Sequence, residues 1–395
     1  MMLCGVPGVV AMVVCLQRVS AFSIATRNRL VSRRSITTCF GSTNDADATT
    51  TTQTVSSVTE AMRTDAMEQM RTIHQHYSSS SSMEAPFTLL RTRQEASDFV
   101  RQHVDALLFD CDGVLYRGLD QAPDATACLR NLLGSGKTCL FVTNNAGANR
   151  QQLRDKLANL LDCPALTVDQ MIGSTYACAQ YLKSALVPPP QDKSAAVVHV
   201  IGTEGLCQEI RESGFTVTGG PRSQEQASMS REELADYDFD AHPPVDAVVV
   251  GLDTDFSYRK LCIATVLLQR NPGAILVSTN QDAYDLVGAD ARHLPGNGCL
   301  VKALEHASQR QAINVGKPSR VLADLVLAEH NLDPARTMMV GDRLDTDIRF
   351  GVENGMIGTL VLTGCTTAQD LVQHGDATQK EPMPDIVVPY MGLLA

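Results

Sequence analysis

The chain lacks tryptophan, and aromatic residues make up only 5% of its 395 residues. It also lacks a long basic run, and its formal net charge is -11. Binding to nucleic acid needs a basic surface, so we expect no nucleic-acid partner. None of the 12 cysteines forms a C-x-x-C pair, which argues against a zinc ribbon or a dithiol redox motif. Several lie within apolar runs, as Cys139 does, and are interpreted as small buried residues of a reducing compartment.

Acidic residues are absent before Asp45, which sets the first segment apart. Residues 6–16 form an apolar run of signal-peptide length that is too short to span a bilayer comfortably. Small residues end at Ala21, Phe22 follows, and the next stretch is rich in Arg and Ser. Residues 1–44 are therefore similar to the bipartite presequences of algae with red-lineage secondary plastids. We expect delivery to the plastid without stable membrane insertion after processing; a secretory signal, a mitochondrial presequence or a cytoplasmic location are the alternatives.

Polar, low-complexity stretches flank a helical pattern between residues 45 and 91. The Ser/Thr-rich stretches 49–56 and 78–82 are too polar to pack. Apolar residues recur at helical spacing between them, namely Met62, Ala66, Met70 and Ile73. A Met-rich stripe of this kind is more typical of a loosely packed or disordered helix than of a ligand site. We therefore predict that residues 45–91 form a disordered linker.

From residue 92 onward, apolar strands alternate with amphipathic helices, which predicts an α/β fold with a doubly wound, Rossmann-like parallel sheet. A run of three prolines, 188–190, interrupts this pattern, and the pattern resumes after residue 294. We predict a core made of residues 92–183 and 295–395. The inserted residues 184–294 are predicted to form an α/β cap domain, because they carry no catalytic cluster of their own.

Three predicted strands end in polar clusters. The clusters are Asp110, Asp112 and Gly113 after the first strand, Thr143, Asn144 and Asn145 after the second, and Asp342 with Asp347 after a later one. Lys317 lies at a loop-to-helix junction. Because the carboxyl ends of parallel strands meet at one edge, we expect these residues to form a single site. An isolated D-x-D-G would be explained equally well by solvated turn acids.

Acids combined with one lysine and with hydroxyl or amide groups suit phosphoryl transfer. Acyl transfer is disfavoured because no Ser–His pairing is visible. A phosphate ester carries about two negative charges near neutral pH, so carboxylates can approach it only across a cation. Oxygen ligands select a hard ion, and Mg²⁺ is the usual one with phosphate. One carboxylate can then attack phosphorus while a second acid protonates the leaving oxygen.

The chain resembles haloacid-dehalogenase-like (HAD) phosphatases with the large C2-type cap, within the phosphoglycolate phosphatase and 4-nitrophenylphosphatase branch. The resemblance covers residues 92–395. It rests on four ordered motifs, which are LLFDCDGVL from Leu107, FVTNN from Phe141, GKPS from Gly316 and VGDRLDTDI from Val340. Four motifs in order, with a cap between the second and the third, are a strong signal.

The resemblance implies a role for each matched residue. Asp110 would be the nucleophile and a magnesium ligand, and Asp112 the general acid/base that also offers its backbone carbonyl to the ion. The substrate phosphate would be held by Thr143, Asn144, Asn145 and Lys317. Asp342 would be a further magnesium ligand, Gly113 would support the first motif, and Asp347 would orient Lys317 or a water on the ion.

The expected substrate is a small phosphomonoester, because a closing cap excludes bulky ones. Plastid targeting favours 2-phosphoglycolate, whose hydrolysis to glycolate and phosphate begins photorespiratory salvage. The alternatives are a pyridoxal-phosphate phosphatase, a broad 4-nitrophenylphosphatase, a mutase or phosphotransferase, and a catalytically silent phosphate-binding module on the same fold. C2-type caps in this branch often mediate dimers, so a homodimer through the cap is also expected.

Overall fold

A computed structural model describes residues 56–79, 85–186, 195–221, 229–287, 292–376 and 382–395. The predicted presequence, residues 1–44, lies outside the described residues. Among the helices that the structure describes, none combines the length and the apolar character needed to cross a membrane.

The secondary-structure elements are numbered along the chain. The strands are β1 (Thr88–Leu89), β2 (Ala106–Phe109), β3 (Tyr116–Arg117), β4 (Asp120–Gln121), β5 (Thr138–Thr143), β6 (Met171–Gly173), β7 (Val197–Ile201), β8 (Thr216–Gly219), β9 (Ala247–Val250), β10 (Ile275–Ser278), β11 (Tyr284–Val287), β12 (Arg292–Pro295), β13 (Ile313–Asn314), β14 (Thr337–Gly341), β15 (Ile357–Val361) and β16 (Ile386–Val388). The helices are α1 (Ser57–Ser79), α2 (Arg93–His103), α3 (Ala125–Gly134), α4 (Arg150–Leu160), α5 (Ser174–Ala185), α6 (Glu204–Glu212), α7 (Arg231–Ala235), α8 (Tyr258–Arg270), α9 (Asn297–Ser308), α10 (Arg320–Glu329), α11 (Arg349–Glu353) and α12 (Ala368–Asp376).

Seven parallel strands form the core sheet, in the order β1-β16-β15-β14-β2-β5-β6. The central strand β2 is buried along its whole length. Leu107 and Phe109 pack into one apolar cluster, whereas Leu108 packs into a second cluster on the other face. Helices therefore cover both faces of the sheet, and the carboxyl ends of its strands reach one edge. This confirms the predicted doubly wound α/β fold.

The cap has a parallel sheet of its own, in the order β8-β7-β9-β10-β13. The cap extends beyond the predicted range of 184–294, because α9 packs on α8 and β13 pairs with β10. Val301 and Leu304 of α9 are buried in the same apolar cluster as Ile263 of α8. The predicted boundary between residues 294 and 295 is therefore wrong, and the cap continues to Asn314.

Residues 57–79 form the helix α1, so the prediction of a disordered linker over residues 45–91 is wrong for this segment. The apolar stripe of α1 is buried, and it consists of Met62, Ala66, Met70, Ile73 and Tyr77. All of these residues except Met62 pack with Phe87, Leu90 and residues of α12 in the largest apolar cluster of the core. Burial of this stripe, not helix propensity, explains why a segment flanked by polar runs is ordered.

Polar contacts also fix the first turns of α1 to the core. The Thr59 hydroxyl donates to the carbonyl of Gln121 in β4 at 2.8 Å. The Arg63 guanidinium donates to both carboxylate oxygens of Asp124, at 3.0 and 2.8 Å. A two-pronged contact of this kind sets the orientation of the helix as well as its position.

Most of the described cysteines are buried, as their positions within apolar runs predict. Six are buried, two are partly exposed and Cys299 is exposed, and all nine are free thiols. Their burial supports the interpretation of these residues as small apolar side chains.

His199 in β7 gives the cap a source of acid sensitivity. Its ring is fully buried, and Nδ1 lies 3.1 Å from the Thr218 hydroxyl. Burial lowers the pKa of His199 to about 3, and His242 and Lys260 act in the same direction. Below pH 6.5 the unfolded chain binds a proton that the folded chain does not, so the free energy of unfolding falls by about 1.4 kcal/mol per pH unit. This stability is fully present above pH 6.5 and is lost toward pH 3.

We expect His199→Asn to remove this slope. Between pH 7.5 and pH 5.0, the wild type should lose about 2 kcal/mol more unfolding free energy than the variant. Urea unfolding at both pH values measures the difference. His306→Asn, on the exposed side of α9, is the matched control and should lose as much as the wild type. Equal losses for wild type and His199→Asn would contradict the prediction.

Candidate active site

The carboxyl edge of the core sheet brings together acids from separate strands. Asp110 follows β2, and Asp342 follows β14. A turn of π-helix, Leu344–Ile348, returns Asp347 to the same point. Carboxylate oxygens of the three acids all lie within 4.8 Å of one another. The convergence expected from the strand ends is therefore present.

Lys317 reaches into this acidic cluster from the loop before α10. Its Nζ lies 2.7 Å from Asp110 Oδ1, 2.7 Å from Asp347 Oδ1 and 2.9 Å from the carbonyl of Val142. Its side chain is only 2% exposed. Burial opposes the charge on Lys317, but Asp110 and Asp347 outweigh burial and raise its pKa. Lys317 is therefore a protonated ammonium that compensates two carboxylates.

Asp347 is held in place by the backbone of the preceding loop. Its Oδ2 accepts hydrogen bonds from the amides of Asp342 and Arg343, each at 3.1 Å. A Cβ on Gly341 would lie 2.0 Å from the Cβ of Asp347, so the close approach requires glycine there. Oδ1 of Asp347 contacts Lys317, and Oδ2 is held by the two amides. Asp347 is therefore placed to orient Lys317, which is one of the two roles that the resemblance implies.

Asp342 is fixed by its neighbours on three sides. Its Oδ2 accepts the amide hydrogen of Cys365 at 2.7 Å. A Cβ on Gly113 would lie 2.4 Å from that oxygen, and a Cβ on Gly364 would lie 1.8 Å from it. Gly113 also has a φ of +78°, which favours glycine. Burial raises the pKa of Asp342 to about 6, and Asp347 acts in the same direction.

The chemistry of these donors fits a divalent cation. Lys317 and the Cys365 amide engage one oxygen each of Asp110 and Asp342, which leaves a second oxygen on each carboxylate. Burial raises the pKa of Asp110 well above its usual range, and Asp347 and Asp342 add to this, whereas Lys317 lowers it. A hard cation bound by oxygen ligands would relieve this excess of negative charge. Asp110 and Asp342 are thus suited to hold it.

Asn144 connects the core edge to the cap. Its Nδ2 donates to both carboxylate oxygens of Asp282, at 3.0 and 3.2 Å, and its Oδ1 accepts the amide hydrogen of Lys317 at 2.8 Å. Burial raises the pKa of Asp282 to about 6. Asp282 lies outside the four sequence motifs and was not predicted as a site residue. The available signal was its position shortly after the cap strand β10, much as Asp110 follows β2.

Thr143 and Asn145 occupy different surroundings. Thr143 is buried at the end of β5, and its hydroxyl accepts the amide hydrogen of Asn145 at 3.2 Å. The exposed side chain of Asn145 accepts the amide hydrogen of Gly147 at 2.8 Å and closes a local turn. The structure thus brings Thr143 to the site and leaves the Asn145 side chain in the turn.

Asp112 lies in the loop after β2 with an exposed side chain, and two residues that the sequence motifs did not assign to the site orient it. The Tyr116 hydroxyl donates to Asp112 Oδ2 at 3.1 Å. Lys156 Nζ donates to that hydroxyl at 2.8 Å and lies 4.1 Å from the centre of the ring. Partial desolvation raises the pKa of Asp112, whereas Lys156 and Tyr116 lower it.

The hairpin β11–β12 of the cap contacts the core edge at Arg343. The Arg343 guanidinium lies 4.8 Å from the centre of the Tyr284 ring, and His293 stacks on that ring at 4.1 Å. Arg343 also forms an ion pair with Asp345 at 2.8 Å. The hairpin therefore lies beside the loop that carries Asp342.

Comparisons with known proteins agree with this geometry. A haloacid dehalogenase-like hydrolase model matches residues 107–216, and a HAD-hydrolase-like model matches residues 314–392. Glycerol-3-phosphate phosphatase of Gallus gallus is 41% identical over 73% of this chain and 88% of its own length. Phosphoglycolate phosphatase 2 of Arabidopsis thaliana is 38% identical over 70% of this chain and 89% of its own length. Chronophin of Homo sapiens is 37% identical over 75% of this chain and 94% of its own length.

Solved structures show the same relationship. A p-nitrophenyl phosphatase from Archaeoglobus fulgidus is 27% identical with a TM-score of 0.59, and covers 73% of this chain and 97% of its own. A glycerol phosphate phosphatase of Mycobacterium tuberculosis, solved in complex with calcium, is 27% identical with a TM-score of 0.59. It covers 75% of this chain and 76% of its own.

A doubly wound sheet, an acid–lysine cluster at its carboxyl edge and relatives named as phosphatases together define a phosphoric monoester hydrolase. The chain belongs to the haloacid dehalogenase-like hydrolase family. The family, the fold and the class of enzyme predicted from the four motifs are thereby confirmed.

Proposed function

We propose that the chain is a Mg²⁺-dependent phosphatase that hydrolyses 2-phosphoglycolate through an aspartyl-phosphate on Asp110. The observation that carries the catalytic part is the Lys317 ammonium, 2.7 Å from Asp110 Oδ1 and from Asp347 Oδ1. This cation holds one oxygen of Asp110 in place. It also lies where the charge of a transferring phosphoryl group would be spread.

The proposed reaction has two steps. A carboxylate oxygen of Asp110 attacks phosphorus, the bond to the glycolate oxygen breaks, and Asp112 donates a proton to that oxygen. Asp112 then takes a proton from a water molecule that attacks the phosphorus of the aspartyl-phosphate, which releases phosphate and restores Asp110. Lys317 and Thr143 hold the phosphoryl oxygens throughout. A bound Mg²⁺ supplies neutralising charge, and Asp110, Asp342 and the backbone carbonyl of Asp112 would hold it.

The choice of 2-phosphoglycolate rests on two observations. The cap lies against the core edge through Asp282 and Asn144, which favours a small ester. A relative of 38% identity is named phosphoglycolate phosphatase 2.

Glycerol 3-phosphate is the second candidate. The relative of 41% identity carries that name, and Asp285 of the cap hairpin favours a leaving group rich in hydroxyls. Burial raises the pKa of Asp285; Arg343 opposes this shift and the nearby charge of Asp112 adds to it. Such an acid accepts hydrogen bonds from hydroxyl groups and disfavours a carboxylate.

A substrate panel tests the proposal. The purified chain is given 2-phosphoglycolate, glycerol 3-phosphate, pyridoxal 5′-phosphate and 4-nitrophenyl phosphate, with Mg²⁺ or with EDTA. We expect the highest kcat/KM for 2-phosphoglycolate and no turnover with EDTA. A preference for glycerol 3-phosphate would favour the second candidate, and a preference for pyridoxal 5′-phosphate would contradict both. Transfer of phosphate to a sugar instead of water would indicate a phosphotransferase.

We also propose a plastid location, on the resemblance of residues 1–44 to bipartite presequences. A fluorescent fusion of residues 1–60 should accumulate in the plastid, and accumulation elsewhere would contradict this. Photorespiratory salvage is then the process that the enzyme would serve.

The cap is the proposed surface for a homodimer. Light scattering on the purified chain should give twice the mass of 42.6 kDa that the sequence predicts. A mass equal to one chain at micromolar concentration would contradict it.

Tyr116→Phe tests the role of Asp112 as the general acid. The variant loses the hydroxyl that orients Asp112 and connects it to Lys156. We expect kcat for alkyl phosphates to fall about tenfold, because their leaving oxygen needs a proton. We expect kcat for 4-nitrophenyl phosphate to change less than about twofold, because that phenolate leaves without one.

The matched control for this prediction is Tyr176→Phe. Tyr176 donates to Glu329 at 2.6 Å on another face of the core. It should slow neither class of ester. An equal loss for both classes in Tyr116→Phe would show that the hydroxyl acts on something other than proton transfer.

A further inference from the structure

None of the residues in the proposed reaction lies in the helix α1. It precedes residue 107, where the family match begins. Its buried stripe explains its stability, and besides Thr59 and Arg63 a third polar side chain of α1, Gln69, contacts the core.

Gln69 bridges the two ends of one loop. Its Nε2 donates to the carbonyl of Leu362 at 3.2 Å, and its Oε1 accepts the amide hydrogen of Ala368 at 2.9 Å. Nε2 also donates to Asp65 Oδ2 at 2.8 Å, which fixes the orientation of the amide. The bridged residues, 363–367, are called the 363–367 loop below. A single side chain thus holds both ends of this loop at a set separation.

The 363–367 loop is hydrogen-bonded to Asp342 and to Gly113. The amide of Cys365 donates to Asp342 Oδ2 at 2.7 Å, and the amide of Thr366 donates to the carbonyl of Asp342 at 3.0 Å. The Thr363 hydroxyl donates to the carbonyl of Gly113 at 2.6 Å. A change in the path of this loop would therefore move Asp342 and the turn after Asp112 together.

We propose that Gln69 is a positioning residue for the metal site, which it serves by holding the 363–367 loop against Asp342. The inference rests on the proposed role of Asp342 as a ligand of the divalent cation. It assigns a task to α1, an element outside the family match. Partners that orient metal ligands indirectly commonly change metal affinity about 10- to 100-fold when they are removed. Gln69 acts one step further from the ligand, so we expect a loss on the order of tenfold.

The test compares Gln69→Met with Gln75→Met in the full chain. Methionine keeps the length of the side chain and removes its hydrogen bonds. Gln75 lies on the exposed side of α1, so it controls for the effect of methionine on the helix. Three quantities are measured, namely the Mn²⁺ dissociation constant by electron paramagnetic resonance, the hydrogen exchange of residues 363–367, and Tm.

We expect Gln69→Met to weaken Mn²⁺ binding about tenfold and to speed exchange in the 363–367 loop, with Gln75→Met unchanged. Metal binding within twofold of the wild type would overturn the inference, as would a lower Tm without a change in metal affinity. If the wild type binds Mn²⁺ and hydrolyses phosphate esters, and Gln69→Met does both equally well, the proposed function stands. Only the role of Gln69 is then refuted. A wild type that binds no Mn²⁺ would contradict both.

Discussion

Asp110→Asn should lower kcat for every phosphate ester by on the order of 10⁴-fold or more. An amide is a poor nucleophile, so the aspartyl-phosphate cannot form. The variant should nevertheless fold well. Burial raises the pKa of Asp110, with Asp347 and Asp342 adding to it, so the ionised carboxylate is destabilising in the metal-free protein above its ordinary pKa. Removal of that charge leaves Lys317 paired with Asp347.

Phosphate release and thermal unfolding at pH 8, both followed on the same preparations, measure these two effects. The matched control is Asp105→Asn. The wild-type Asp105 lies just before the amino end of β2 and pairs with Arg336 on the surface. The control variant should keep full activity. Retention of more than about one hundredth of the wild-type kcat in Asp110→Asn would rule out Asp110 as the nucleophile.

Lys317→Met should damage both activity and folding. The ammonium is buried between Asp110 and Asp347, so its loss leaves two carboxylates without compensation. Breaking a buried ion pair from one side costs about 3–5 kcal/mol. Activity should fall about 10³-fold, because a cation that faces the phosphoryl group is lost. Urea unfolding and kcat/KM for 4-nitrophenyl phosphate measure the two losses.

The double variant Lys317→Met/Asp347→Asn separates the two losses. It removes one of the uncompensated charges, so it should regain most of the unfolding free energy. Activity should stay low, because the ammonium is still absent. If activity returned together with stability, Lys317 would have only a structural role. If neither returned, the coupling between Lys317 and Asp347 would be weaker than the 2.7 Å separation of their charged atoms implies.

Several features of the site could be predicted from sequence because they follow from strand ends. Asp110 and Asp342 each come directly after an apolar strand, and parallel pairing brings such ends to one edge. Lys317 could be placed there because it stands in one of four ordered motifs. The contacts of Asp347 with two backbone amides could not be predicted from the strand pattern, because they depend on a turn of π-helix.

The errors concern segments whose partners are distant in sequence. The stripe of α1 was visible as a periodic pattern, but the surface it covers includes α12, about three hundred residues further along the chain. The helix α9 is amphipathic in either domain, and only its packing on α8 assigns it to the cap. Asp282 and Gln69 were missed for the same reason, because each acts on a residue in another motif or loop.

The two glycines that flank Asp342 have a consequence for the entropy of cation binding. A carboxylate on a free side chain loses rotational freedom each time it captures an ion. At Gly113 and Gly364 a methyl group would overlap Asp342 Oδ2, so the carboxylate packs directly against the backbone there, and the Cys365 amide binds the same oxygen. Its freedom is therefore lost once, during folding, and not again at each turnover. The absence of side chains at Gly113 and Gly364 thus contributes to cation affinity through entropy, without a direct contact to the ion.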